Sequence, residues 1–333
     1  MLVNPAIIGL ALCSFMVSVA AIYASVLGVQ IIRQWNLKSG SQKQLILERK
    51  TYLVSTVLNY VMGCELFSLF LFITMADRIH TLFIGAMCAV GTLNANEFGY
   101  VTLIFKAMNF IFCGIWLTVN YLDNKGYDYP LIRFKYKLLL SITPLIVAET
   151  VWLLNYLIRL EPEIITSCCG TLFNEDAQTV AGELAHLPSY KTKIFFYACL
   201  IFTLGVGIYF YFMGKGAVIL ALLNTALFFI SLASVISFIS LYYYELPTHH
   251  CPFCLIQKEY HYIGYALYLS LFLAMIMGAS LGVINRFKKF DSLKKITSVI
   301  QKRFCCISMA GYFIFGIIAT YPIIFSDFIL EGY

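Results

Sequence analysis

Long apolar runs alternate with short polar segments along the whole chain. A helix needs about 20 mostly apolar residues to cross a membrane, and eight of the runs are long enough. They are Pro5–Ile32, Tyr52–Met75, Tyr100–Leu122, Leu138–Leu160, Ile194–Met213, Ala217–Tyr244, Tyr262–Ile284 and Phe304–Phe325. The pattern predicts an all-α polytopic integral membrane protein with about eight transmembrane helices.

The composition agrees with this fold class. Of the 333 residues, 61% are hydrophobic and only 12% are charged, and the mean hydropathy is +0.83. A soluble domain carries roughly 25% charged residues. Soluble globular classes are therefore excluded, and no nucleic-acid partner is expected.

Basic residues concentrate in alternate connections between the predicted spans. Groups of them follow the first, third and seventh spans, and Lys215 alone follows the fifth. Because Lys and Arg are enriched in cytoplasmic connections, both termini are expected on the outer, periplasmic side. Lys135 counts among these connecting charges, whereas Lys106 lies within a span and is expected to extend toward the interface. The expected location is the bacterial inner membrane, as a multi-pass protein in contact with lipid.

Three segments on the predicted outer side carry the polar chemistry. Residues 77–99 contain an apolar stretch too short to span, so they are expected to form a re-entrant segment that carries Cys88. Residues 161–193 form a long acidic loop, and residues 245–259 hold clustered histidines and cysteines. The expected organisation is an N-terminal four-helix bundle (1–160), the outer loop (161–193) and a C-terminal four-helix unit (194–333).

The third of these segments contains a Cys-Pro-Phe-Cys motif, formed by Cys251 and Cys254. Such a pair serves as a redox dithiol or as half of a metal site. A second Cys-x-x-Cys motif would favour zinc, and the sequence has none. Thiol redox chemistry is the leading interpretation. The alternatives are a structural disulfide and a Cu(I) or Zn(II) site made by His249, His250, Cys251 and Cys254.

The stretch Cys-Pro-Phe-Cys-Leu-Ile-Gln-Lys, residues 251–258, precedes an aromatic-rich span and resembles the bacterial disulfide-bond formation protein B (DsbB) family. The arrangement is also similar to that of vitamin K epoxide reductases. The resemblance implies that the C-terminal unit is DsbB-like and that Cys251 and Cys254 pass electrons to ubiquinone or menaquinone beside Gln257 and Lys258. His250 and His261, which border the motif, are further candidates for the cofactor site.

The same resemblance implies a second cysteine pair that exchanges with a periplasmic thioredoxin-fold protein or another thiol protein. In the family this pair follows the Cys-x-x-Cys, whereas the candidates here, Cys168 and Cys169, precede it. The chain also has twice the family's spans, and Lys258 replaces an arginine, which turns a bidentate contact into a point charge.

Cys168 and Cys169 are adjacent, which limits the disulfide that they can form. Consecutive Cα atoms lie about 3.8 Å apart, below the usual disulfide range of roughly 4.4–6.8 Å. A disulfide between them would be strained and easily reduced, which suits exchange. Alternatively, one of them pairs with Cys88 or with the Cys-x-x-Cys.

Two carboxylates, Glu65 and Glu149, fall inside predicted spans. An ionisable residue within a membrane span is a functional candidate by default. Each could relay the protons that quinone reduction consumes, or could be a neutral, hydrogen-bonded residue of the helix packing.

These observations favour a membrane thiol–disulfide oxidoreductase that couples an outer-face Cys-x-x-Cys to a membrane quinone. The catalytic candidates are Cys251, Cys254, Cys168 and Cys169, with Cys88 as a further candidate. One alternative is a copper or mercury binding or transport protein that uses outer-face cysteines and histidines. Another is a structural membrane subunit of a respiratory or assembly complex, with membrane complex partners and only structural disulfides.

Overall fold

The computed structural model describes residues 4–36, 39–161, 164–166, 180–290 and 292–330. Within these residues the chain is helical, and one isolated parallel bridge joins Ile84 to Ile165. The helices are α1 (Pro5–Gln34), α2 (Gln42–Arg78), α3 (Ala89–Leu93), α4 (Phe98–Asp123), α5 (Ile132–Ile158), α6 (Val180–Ala185), α7 (Ser189–Met213), α8 (Ala217–Tyr244), α9 (Ile263–Asn285) and α10 (Lys294–Phe325).

Eight of the described helices are long and apolar enough to cross a membrane. They correspond one to one with the eight predicted spans, because only α3 and α6 fall outside that set. The prediction of an all-α polytopic membrane protein is therefore confirmed.

Helix ends differ from the predictions where polar residues extend a helix beyond its apolar part. α1 begins as expected, because the Asn4 side chain accepts a hydrogen bond from Ala6 N–H (3.0 Å) and Pro5 occupies the first turn. α2 begins at Gln42, ten residues before the predicted Tyr52. These ten residues are rich in good helix formers, and Gln44 donates to Glu48 across one turn at 2.8 Å.

The described chain divides into two compact units. Unit 1 comprises Met1–Met75, Ala95–Pro162 and Arg286–Ser298, and unit 2 comprises Ala76–Asn94, Glu163–Asn285 and Val299–Tyr333. The sequence analysis assigned residues 77–99 to the N-terminal bundle. In the structure, most of that segment groups with the C-terminal helices instead, since residues 76–94 belong to unit 2.

In unit 1, α5 packs along both α1 and α4. Tyr136 of α5 is buried against Gly28 of α1, where a Cβ would come within 3.0 Å of its ring. Hydroxyl groups also pair across the two helices, at 2.7 Å each: Ser18 with Thr150, and Ser25 with Thr143. Small residues and such hydroxyl contacts are typical of helix association in membranes.

Two lysines of unit 1 are buried, which corrects both sequence expectations about them. Lys106 is 0% exposed and forms an ion pair with Glu149 at 2.6 Å, so it does not extend to the interface. Lys135 is 1% exposed and pairs with Asp123 at 2.9 Å, so it is not a free charge of a connecting segment. Each lysine is buried because a carboxylate on a neighbouring helix compensates its charge.

In unit 2, α8 packs along α9 and against α7. Asn224 of α8 lies at a close approach to Gly278 of α9, where a Cβ would come within 2.5 Å of the Asn224 side chain. From α10, Ser308 donates to the Asn224 side-chain oxygen at 2.8 Å, and Tyr312 donates to the Asn224 backbone carbonyl at 2.5 Å. One buried asparagine therefore connects α8, α9 and α10.

Candidate functional site

The Cys-Pro-Phe-Cys motif forms a tight turn just before α9 in unit 2. Cys254–Ile256 is a single 3₁₀ turn, closed by a hydrogen bond from Ile256 N–H to the Phe253 carbonyl (3.0 Å). Gly264, in the first turn of α9, lies against this turn, and a Cβ there would be 2.9 Å from the Leu255 carbonyl carbon. The glycine lets α9 begin directly against the motif.

Two tyrosine hydroxyls hold the backbone of the motif. Tyr244, the last residue of α8, donates to the Cys251 carbonyl at 2.5 Å. Tyr268, in α9, donates to the Pro252 carbonyl at 2.7 Å. Buried carbonyls need such partners, so the motif is fixed from both flanking helices. The sequence analysis did not identify either tyrosine, because a tyrosine in an aromatic-rich span carries no distinguishing signal.

Cys88 is held by the segment that precedes α3. The Ile84 carbonyl accepts from Thr166 N–H at 2.9 Å, and Thr92 donates to the Ala76 carbonyl at 2.8 Å. Cys88 caps the N-terminus of α3 in an extended conformation and is 0% exposed. Within the expected non-spanning segment, Cys88–Leu93 is buried, whereas Leu82, Ile84 and Met87 are exposed.

The three cysteines Cys88, Cys251 and Cys254 converge. The Cys88 and Cys251 sulfurs are 3.6 Å apart, and the sulfurs of all three lie within 4.8 Å of one another. Their exposure is 0%, 0% and 6%, respectively. We call these residues the cysteine cluster. Among the described residues it is the only group of at least three His, Cys, Asp or Glu with the spacing of metal ligands.

His249 adjoins this cluster. Its Nε2 atom lies 3.4 Å from Cys254 Sγ, and its ring packs edge-on against Tyr244 at 4.5 Å between ring centres. Burial lowers the pKa of His249 below its ordinary value, although the nearby Cys88 opposes this shift. A histidine with a pKa below about 6.5 is mostly neutral at pH 7. Neutral His249 can therefore accept the proton of the Cys254 thiol.

His250 contacts the backbone of an irregular turn of α8 and is not part of the cysteine cluster. Residues Val235–Ile239 form a π-turn, in which Ser240 N–H bonds to the Val235 carbonyl five residues back. The Ile236 carbonyl instead contacts His250 Nδ1 at 2.9 Å, so this ring nitrogen carries the hydrogen. Burial also lowers the pKa of His250.

Gln257 links the motif to the Cys88 segment. Its side-chain amide donates to the Met87 carbonyl at 2.9 Å and to Asp77 Oδ1 at 3.2 Å. The sequence analysis assigned Gln257 to a quinone on the basis of the resemblance. In the structure its NH₂ group positions the residue next to Cys88. Asp77, which the sequence analysis did not identify, is the only acidic residue near the end of α2.

Lys258 and His261 are exposed. The backbone of Gln257 is extended and separates the 3₁₀ turn Cys254–Ile256 from a second 3₁₀ turn, Lys258–Tyr260. Cys254 and Lys258 therefore do not lie on one continuous helical turn, although they are four residues apart. His261 has a left-handed backbone, with φ of 53°, just before α9 begins.

The remaining candidates are not part of the cysteine cluster. Cys168 and Cys169 lie outside the described residues. Glu65 and Glu149 are buried in unit 1. The other described cysteines are free thiols in helices: Cys13, Cys64, Cys113, Cys199, Cys305 and Cys306.

Comparisons of the chain with protein-family models, with curated proteins and with solved structures find no match. The likeness to the DsbB family thus stays a prediction that rests on residues 251–258 alone.

Proposed function

We propose that the chain is a membrane thiol–disulfide oxidoreductase in which the Cys251–Cys254 dithiol is oxidised by a membrane quinone. The observation that carries the proposal is the position of Cys88, whose sulfur lies 3.6 Å from Cys251 Sγ. A third thiol at this distance allows a disulfide to move within the protein. A purely structural disulfide has no need of a third buried thiol.

The exchange step uses the three sulfurs in sequence. The Cys88 thiolate attacks Cys251 in the Cys251–Cys254 disulfide, forms the Cys88–Cys251 bond and breaks the bond to Cys254. Cys254 leaves as a thiolate and takes a proton, which replaces the proton that Cys88 lost. His249 Nε2, 3.4 Å from Cys254 Sγ, is the group that delivers or removes this proton. The step moves a disulfide and needs no external oxidant.

Net oxidation needs an acceptor of two electrons and two protons, and a quinone supplies that chemistry. The chain's part is to ionise Cys254 through His249 and to close the Cys251–Cys254 disulfide. The resemblance assigns two residues to the quinone. One of them, Lys258, is exposed, and its ammonium group is available to donate a hydrogen bond to a quinone. Gln257 already uses its amide to hold Asp77 and Met87. Lys258 is therefore the residue that would contact the quinone.

Burial of the cysteine cluster restricts its partners. With at most 6% of any of the three residues exposed, a soluble protein cannot reach these sulfurs directly. We assign exchange with a periplasmic thioredoxin-fold or other thiol protein to Cys168 and Cys169. The proposal puts both the cluster and this pair on the periplasmic side of a bacterial inner membrane.

Quinol formation by the purified protein tests this function. Dithiothreitol serves as electron donor, and a short-chain ubiquinone or menaquinone analogue serves as acceptor. The wild-type protein is expected to reduce the quinone, and Cys251→Ser or Cys254→Ser is expected to abolish the catalysed rate. Cys199→Ser, in α7, is the matched control and should keep it. A wild-type rate no greater than that of Cys251→Ser would contradict the proposal.

A soft-metal site is the second candidate function, and the same distances favour it. With Zn–S near 2.3 Å and Zn–N near 2.0 Å, tetrahedral geometry places two sulfurs about 3.8 Å apart and a sulfur and nitrogen about 3.5 Å apart. The observed Cys88–Cys251 and His249–Cys254 separations are 3.6 and 3.4 Å. The three sulfurs suit Cu(I), and a copper or mercury carrier would use the same donors. His249 contacts Cys254 but is outside the group whose ligand atoms all lie within 4.8 Å of one another.

Metal content separates the two candidates. The wild-type protein, purified under reducing conditions, is analysed for bound copper, zinc and mercury after equilibration with each ion. One equivalent that is lost in both Cys88→Ser and His249→Ala would support the metal site. Binding that is unchanged in both variants would exclude it.

A further inference from the structure

A second group of ionisable side chains is buried in unit 1, within membrane-spanning helices. Lys106 Nζ of α4 lies 2.6 Å from Glu149 Oε1 of α5 and 2.5 Å from Ser68 Oγ of α2. Asn109, one turn after Lys106, donates to the other Glu149 oxygen at 2.6 Å. All four residues are at most 1% exposed. The ion pair is therefore complete, because every charged atom has a hydrogen-bonding partner.

Glu65 is a third ionisable group in the same place. It lies one helical turn before Ser68 on α2, is 1% exposed, and adjoins the Glu149 carboxyl. Its Oε1 atom has no hydrogen-bond partner among the described residues. A buried polar oxygen without a partner is rare and costly in a protein interior.

The charges around Glu65 decide its protonation. The titratable or charged groups that interact with it are Cys13 from α1, Lys106 and Cys113 from α4, and Glu149 from α5. Lys106 is the only cation of this set, and Glu149 already neutralises it. An ionised Glu65 would add an uncompensated charge next to a second carboxylate, and two carboxylates that share one site do not both ionise readily.

We propose that Glu65 is a proton-binding site within the membrane, and that unit 1 exchanges this proton with water. A protonated Glu65 removes the excess charge and can donate a hydrogen bond to the adjoining Glu149 carboxylate. A metal cation does not suit the site, because the Lys106 ammonium already lies within 2.6 Å of the carboxylate that would have to bind it. The ligand is therefore a proton.

The position of Glu65 suits proton exchange better than a purely structural role. A structural hydrogen bond in this place could be made by a glutamine, which needs no proton. One apolar layer of the unit 1 core contains Met62, Cys113, Trp116, Ile142 and Ile146. On α2, α4 and α5 this layer separates the Glu65 site from the second buried pair, Asp123 and Lys135. The two buried sites are therefore separate, and no proton transfer between them is expected.

Infrared spectroscopy of the full-length protein tests the proposal directly. The protein is prepared in a detergent without ester groups, because ester carbonyls absorb near the C=O stretch of a protonated carboxylic acid. Spectra are recorded at neutral and at alkaline pH, and in H₂O and D₂O. We expect a protonated-carboxyl band at neutral pH that shifts in D₂O, disappears at alkaline pH and is absent in Glu65→Gln. Glu97→Gln, at a side chain that is 78% exposed, is the control and should keep the band.

Each other outcome would overturn the proposal. A wild-type protein without the band would show that Glu65 is ionised, whatever happens to the variant. A band that persists in Glu65→Gln would assign the proton to another residue, and a band that never responds to D₂O or alkali would exclude exchange. Displacement of the band by sodium at constant pH would identify a cation site instead. Cys251→Ser should leave the band unchanged, so the result is independent of the proposed thiol chemistry.

Discussion

Individual side chains of the cysteine cluster and its neighbours determine the chemistry open to this chain. Cys251 and Cys254 could be selected from the sequence because their spacing is a recognised pattern. Cys88 could be given only as a candidate, because 163 residues separate it from Cys251 and only the fold brings their sulfurs to 3.6 Å. The choice between His249 and His250 also required the structure, since the π-turn of α8 engages His250.

His249 and His250, which are half-buried, predict a pH dependence of stability. Burial lowers the pKa of both His249 and His250 in the folded chain, whereas the unfolded chain protonates them near pH 6.5. The unfolded state therefore binds more protons below that pH, and folding stability falls as the pH is lowered through about 6.5. The expected decrease in apparent Tm is about 2–4 °C.

Thermal unfolding in detergent, followed above and below that pH, measures this effect. The double variant His249→Gln and His250→Gln should lose most of the pH dependence. His261→Gln, at an exposed histidine, should retain it. A Tm that rises on acidification would be inconsistent with half-buried, neutral imidazoles.

The hydrogen bonds of Gln257 are expected to limit how readily Cys88 becomes accessible to a reagent. The Gln257→Ala variant loses two hydrogen bonds, to Met87 and Asp77, each worth about 1 kcal/mol. The Cys88 segment should then open more often, and alkylation of Cys88 by a maleimide should accelerate at least about fivefold. Quenched alkylation with mass spectrometry measures this rate, with the exposed Gln42→Ala as control. An unchanged Cys88 rate would show that Gln257 does not hold the segment.

At the scale of helices, hydropathy located each membrane-length helix of the described residues but not all of the helix ends. A hydropathy profile detects only the apolar part of a helix, which is the part suited to lipid. Polar residues such as Gln42–Thr51 continue the helix beyond that part. Hydropathy also could not show that Lys106 and Lys135 are buried. Each is compensated by a carboxylate on a different helix or turn, and such pairing depends on the relative rotation of the helices.

The buried ion pair between Lys135 of α5 and Asp123 of α4 predicts that removing the charge of Asp123 lowers the stability of unit 1. Lys135 Nζ contacts Asp123, Asn120 and Ser55 at 2.9–3.1 Å and is 1% exposed. Asp123→Asn leaves a buried ammonium without its counter-charge and should destabilise unit 1 by about 3–5 kcal/mol. Lys135→Met in the same chain should restore a good part of this loss, since it removes the unpaired charge.

Chemical denaturation in mixed micelles measures both variants against the wild type. The control is Glu161→Gln, at an exposed acidic residue of unit 1. A single Asp123→Asn variant as stable as the wild type would mean that Lys135 is not charged or not buried.

At the scale of the whole molecule, the number of membrane helices follows from the sequence, but the division into units does not. The short segment around Cys88 follows α2 in the chain, yet residues 76–94 belong with unit 2. Sequence order favours assigning a segment to the bundle it follows, whereas contacts such as Gln257 with Met87 determine where it packs.

Orientation in the membrane is a prediction of the whole chain. Alternate connections carry the basic residues, so the connection between α8 and α9 should face the periplasm, and the connection between α4 and α5 the cytoplasm. Single cysteines introduced at Glu259 and at the 85%-exposed Tyr127 report on the two sides. In intact spheroplasts, a membrane-impermeant maleimide should label Glu259→Cys, and it should label Tyr127→Cys only after permeabilisation. Labelling in the reverse order would invert the topology and put the cysteine cluster on the cytoplasmic side.

The central claim is that the three buried cysteines form a redox centre oxidised by a quinone. Its most direct test counts free thiols at Cys88, Cys251 and Cys254 in the reduced, purified protein, with and without added quinone, by mass-tagged alkylation after denaturation. The account predicts that quinone removes two of the three free thiols and that Cys251→Ser prevents this loss. Thiols that ignore quinone, and that react in the native protein only after a chelator is added, would contradict the redox assignment and favour a bound metal.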